Sequence, residues 1–130
     1  MRLTLLWGLA TGVAIACVDL LALQFIRHVN DEDVVAAITL VDVLISLGLC
    51  GWAGYRVARA LNELRPGLEA AVLAGIVAGA AAAATSYYLP LEEPSVSEAV
   101  NLVAQNILFA AAAGSLGAWA GSMRRPPPTR

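Results

Sequence analysis

Leu3 to Ile26, LTLLWGLATGVAIACVDLLALQFI, is the stretch that decides the fold. Its 24 residues are apolar almost throughout and carry one charge, Asp19. At about 1.5 Å rise per residue such a helix outreaches a hydrocarbon core of roughly 30 Å. Gly8, Gly12 and Ala16 recur every four residues and so share one helix face, and Asp19 follows on that face three residues later. A small-residue face lets a second helix approach closely in lipid. The carboxylate is placed where that partner would stand.

The rest of the chain extends this pattern. Of 130 residues, 59% are apolar and 14% charged, with a mean hydropathy of +0.73. A soluble domain carries about 25% charge, so the excess apolar surface is read as facing lipid. All eight basic residues are arginine, which with abundant Ala, Gly, Val and Leu suggests a GC-rich bacterial genome. Arg2 and the apolar run after it resemble a signal peptide, and Ala14-Ile15-Ala16-Cys17 resembles a lipoprotein cleavage box. The residues after Cys17 stay apolar to Ile26, however, and the segment is read as a retained span. Cys17 and Cys50 fall at different depths, which argues against a disulfide, and neither has metal-type spacing.

Three further spans follow, giving an all-α polytopic bundle of four transmembrane helices over residues 1–123. The spans are expected at about 3–26, 34–55, 68–89 and 96–123, with a basic, proline-rich cytoplasmic tail at 124–130 that is extended and disordered. Asn30-Asp31-Glu32-Asp33 supplies an N-cap candidate and acidic first turn for span two. Pro66-Gly67 is expected to break the chain before span three, and Pro90 to close it. Ser95-Val96-Ser97-Glu98 fits a capping box before span four. With four spans, Arg2, Arg56, Arg59, Arg65, Arg124, Arg125 and Arg130 fall on one side and only Arg27 on the other. The positive-inside rule then puts both termini in the cytoplasm of a bacterial inner membrane. Trp7, Trp52 and Trp119 fall at the cytoplasmic interface, Tyr87 and Tyr88 near the outer one. At a constant offset of 67, Gly8, Gly12 and Ala16 match Gly75, Gly79 and Ala83, and Trp52-Ala53-Gly54 matches Trp119-Ala120-Gly121. This pattern fits two parallel-repeat hairpins.

The polar residues inside the spans are few. Asp19 and Asp42 fall at matching depth on neighbouring helices, roughly 10–12 Å from the outer ends. Thr39 and Ser46 share the face of Asp42, Gln105, Asn106 and Asn101 enter from span four, and Thr85 and Ser86 lie slightly shallower on span three. A carboxylate in the membrane is costly to ionise, so the acids with Gln105 and Asn106 are a candidate proton or cation site for coupled transport of a small solute. The other reading makes them hydrogen-bonded glue between helices, or the wall of a wet vestibule. Gly8, Gly12, Ala16, Gly75 and Gly79 are read as helix-packing positions, within the bundle or between protomers. Packing accounts for more residues than chemistry does. The leading expectation is therefore a non-enzymatic homo-oligomer or accessory subunit of a larger membrane assembly, with the transporter as the alternative. The single His28, at the membrane edge, leaves no catalytic triad or dyad. No cofactor, metal site or nucleic-acid partner is expected; the lipid bilayer is.

Overall fold

A computed structural model describes residues 1–88 and 95–123, without the side chains of 87 and 88. It contains four α-helices: α1 (Arg2–Ile26), α2 (Glu32–Leu61), α3 (Leu64–Tyr88) and α4 (Val96–Met123). All four are, by length and composition, long and apolar enough to cross a membrane, the pattern of a multi-pass membrane protein. Large apolar side chains point outward along the helices: Leu6, Phe25, Leu40, Leu108 and Leu116 are 61–69% exposed, a surface that only lipid or another apolar partner can cover. Pro90, Glu92, Glu93 and the tail 124–130 lie outside the described residues.

The helix ends follow local chemistry. Asp31 caps α2, its carboxylate accepting from the Asp33 and Val34 backbone N–H groups at 3.0 and 3.4 Å. At α4 the capping box forms in both directions. Ser95 Oγ accepts from Glu98 N at 3.1 Å, and Ser95 N donates to Glu98 Oε2 at 3.2 Å. His28 turns back to put Nδ1 2.8 Å from Gln24 O, occupying a carbonyl at the C-terminal end of α1.

Two boundaries differ from the sequence expectation. α2 runs on from Tyr55 to Leu61, and α3 begins at Leu64 rather than Leu68. Pro66 does not break the chain, because it falls in the first turn of α3, where a missing N–H removes no intrahelical bond. The connection is only Asn62-Glu63, with Asn62 at φ 55° in the left-handed conformation that ends many helices. Arg56, Arg59 and Arg65 therefore extend helix ends rather than populate a loop.

Burial is confined to one half of the bundle, the half holding the α2–α3 turn and Arg2. The buried residues are Thr4 to Ile15 on α1, Cys50 to Ala58 on α2, Gly67 to Gly79 on α3 and Ala110 to Gly121 on α4. Contact is by backbone approach through small residues. A Cβ on Gly54 would sit 2.5 Å from Gly114 O, and one on Gly117 would overlap Gly51 O. α3 and α4 pack most extensively, α1 and α2 least, and α1 makes no close backbone approach to α4 among the described residues.

The repeat is followed by one of its three matched glycine pairs. Gly54 faces α4 and Gly121 faces α2, as symmetry between the hairpins requires. Gly8 and Gly12 face Leu73 and Val77 of α3, whereas Gly75 and Gly79 face Ala110 and Val103 of α4 instead of α1. The first hairpin is gapped where the second is tight.

These contacts set a prediction for stability. Gly54→Ala or Gly117→Ala forces the helices apart and should cost about 1–3 kcal/mol, the usual range for overpacking. At Gly48 nothing lies within 4 Å of an added Cβ, so Gly48→Ala should be neutral or stabilise by up to about 1 kcal/mol through helix propensity. Unfolding in mixed micelles of rising dodecyl sulfate fraction checks the order.

Candidate functional site

Where the buried half ends, a cavity of about 350 Å³ opens between the helices. Its floor is apolar: Ile15, Cys50, Ala78 and Ala110 belong to the core cluster that seals it from the packed half. Its polar wall is built from three helices. α1 brings Asp19; α2 brings Thr39, Asp42 and Ser46; α4 brings Gln105 and Asn106. The spacing on α2 is helical, with steps of three and then four residues between the polar positions, so the three side chains share a face. Asp19 on α1 and Asp42 on α2 line the same cavity from neighbouring helices. The antiparallel course of a short hairpin brings equal depths together, which is why the two acids face one space.

The hydrogen bonds around the site are local. Thr39 Oγ1 donates to Val35 O at 2.9 Å and Asn106 Nδ2 to Leu102 O at 3.0 Å, each within its own helix. Asp42 Oδ1 and Ser46 Oγ are enclosed and have no partner among the described residues. A buried polar atom without a partner is costly, and such atoms can take up a proton, a water or a ligand. Two carboxylates lining one cavity repel if both are ionised, and a proton or another cation there would relieve that repulsion.

All four residues read from the sequence as a candidate site, Asp19, Asp42, Gln105 and Asn106, line this cavity. Asn101, Thr85 and Ser86 do not. Asn101 is exposed, and the two hydroxyls donate to Ala81 O and Ala83 O of their own helix at 2.9 and 2.7 Å. Two contributors were missed. Phe109 stands at the mouth, one turn from Gln105 and Asn106 on the same face, a spacing that could have found it. Cys50 lies in the floor, and only its place among the α2 small residues hinted at burial. Gly8, Gly12, Gly75 and Gly79, named from the sequence as packing positions, each face another helix of the same chain.

Comparison of the chain with protein-family models, with curated proteins and with solved structures finds no match.

The shared cavity predicts a cross-link between the two acid positions. In a Cys17→Ser, Cys50→Ala background, Asp19→Cys with Asp42→Cys should join under a short bifunctional thiol reagent, seen by mass spectrometry. Asp19→Cys with Leu44→Cys, where Leu44 is 58% exposed on the outer surface, should not.

Proposed function

We propose that the chain is a non-enzymatic protein of a bacterial inner membrane that binds a small solute or cation at the Asp19–Asp42 pair in exchange for a proton, as a coupled transporter does. The observation that carries this reading is the cavity itself. Two acids from different helices line it, Asp42 Oδ1 and Ser46 Oγ are left without a partner among the described residues, and two amides stand on α4. The argument for interhelical glue loses ground, because every side-chain hydrogen bond among the described residues joins positions four residues apart or fewer. The arginine bias orients the packed half and both termini to the cytoplasm, so the cavity lies in the outer half of the membrane. Helices that touch through Gly and Ala, without side-chain hydrogen bonds between them, can shear past one another, and alternating access requires such a movement.

The test is reconstitution into liposomes under an imposed pH gradient. Asp19→Asn and Asp42→Asn should each abolish proton-coupled flux while leaving folding intact. Unchanged flux in both variants removes the reading. Topology is checked with the same preparation in cells: Asp31→Cys should react with an impermeant maleimide from outside, and Asn62→Cys should not.

A second reading, a homo-oligomer or a subunit of a larger membrane assembly, is favoured by the outer half of α2. None of residues 32–49 is buried, and Gly48 faces open space. Gly75 and Gly79 are occupied by α4, so Leu at those positions tests the bundle. Gly48→Leu tests assembly: in nanodiscs it should convert an oligomer to monomer, and a parent already monomeric sets this reading aside.

A further inference from the structure

A second hollow, an open groove of about 570 Å³, runs between α1 and α2 on the outward-facing surface of the bundle. Its walls are Leu21, Ala22 and Phe25 of α1 against Val34, Ala37 and Val41 of α2. Leu21, Phe25, Val34 and Val41 are all exposed, so the groove opens to the bilayer along its length. Only two polar residues line it, Asp33 towards the membrane surface and Asp42 in the interior. Asp42 lines both this groove and the polar cavity. α1 and α2 are the least packed neighbours in the bundle, and the gap between them brings the groove up to the residue that also lines the cavity.

We propose that the α1–α2 groove is a lateral entrance, and that the ligand of the site is an organic monoamine with an apolar body, which arrives from the bilayer and sets its ammonium group against Asp42. The proposal rests on the acid-pair reading above and adds a route and a chemical class. Charge selects the head: the groove carries acids at both ends and no base, which repels a phosphate-bearing lipid. The walls select the body: a bare inorganic cation gains nothing in an apolar groove, whereas an alkyl or aryl group is at home there. Volume sets the size, since both hollows lie within the roughly 300–1,000 Å³ typical of sites for small organic molecules. When the ammonium replaces the proton shared by the acids, one positive charge leaves as one enters. The pair stays compensated throughout.

Carbodiimide labelling of Asp42, read by mass spectrometry on the full-length protein in nanodiscs, tests this. Lipid-soluble dicyclohexylcarbodiimide should modify Asp42 faster than a water-soluble carbodiimide does. Octylamine should slow the modification, while ethylamine at equal concentration should not. Ala37→Phe, which fills the groove, should slow the modification about tenfold, a barrier comparable to burying two methylenes, whereas Leu40→Phe on the neighbouring face should have no effect. If Ala37→Phe does not fold, Val41→Trp fills the same groove. Equal protection by ethylamine overturns the apolar class. Unchanged labelling in the filled variants, or faster labelling by the water-soluble reagent, overturns the lateral route. Each of these failures leaves the flux test on Asp19 and Asp42 standing.

Discussion

Backbone-to-backbone approach through glycine at one end of the bundle is the constraint on which the rest depends. In lipid the helices gain nothing from hiding apolar surface from water, so close van der Waals packing must hold them. Gly51, Gly54, Gly114, Gly117 and Gly121 bring α2 and α4 together, and Gly75 and Gly79 bring α3 against α4. Each of these contacts lies in the half where burial is concentrated. No side-chain hydrogen bond reinforces them across helices among the described residues. The aromatic contacts add one tie at the same end. Trp7 and Trp52 meet edge to face at 4.9 Å, with the Arg56 guanidinium 5.6 Å from both rings, joining α1 to α2 where backbone packing between them is slight.

The cavity follows from where the small residues stop. Beyond Cys50, towards the start of α2, the inward positions are Leu47, Ser46, Val43 and Asp42, all larger than glycine. Beyond Ala110 on α4 they are Asn106, Gln105 and Leu102. Side chains of this size hold the helices apart in the half away from the α2–α3 turn, and the space between them is lined by whatever polar groups those positions carry. The acids thus sit at the boundary between a closed half and an open one. That placement leaves the carboxyls on the open side with an apolar floor beneath them.

Much of this was legible in the sequence. Helix number, the two N-caps and the depth match of Asp19 with Asp42 all follow from short-range rules: hydropathy, capping spacing and rise per residue. The start of α3 was misread because Pro66-Gly67 has opposite meanings inside and outside a first turn. The difference rests on the left-handed Asn62, which a linear reading does not reveal. The small-residue ladders were recognised, but their partners were not. Gly75 could have faced α1, α4 or another chain with the same local sequence, and only the packing of α3 on α4 decides it. Nor was the groove legible, since it consists of ordinary lipid-facing residues such as Ala22, Ala37 and Val41. Its significance comes from Asp42 reaching it from the other side.

The unequal packing of the helices bears on how such a site could work. α3 and α4 form the most extensive contact, and α2 is fixed to α4 through glycine, so these three make a coherent unit. α1 is attached chiefly to α3, through Gly8 and Gly12 against Leu73 and Val77, and makes no close backbone approach to α4. Asp19 therefore rides on the helix with the fewest attachments, while Asp42 belongs to the unit. A shift of α1 along α3 changes the spacing of the two carboxyls without disturbing the glycine contacts of α2 with α4. If the pair binds a proton or another cation as proposed, repulsion between the ionised acids links its charge state to the position of α1. Under that proposal, occupancy of the site would bias the helix, and the helix position would set the affinity of the site by the same factor.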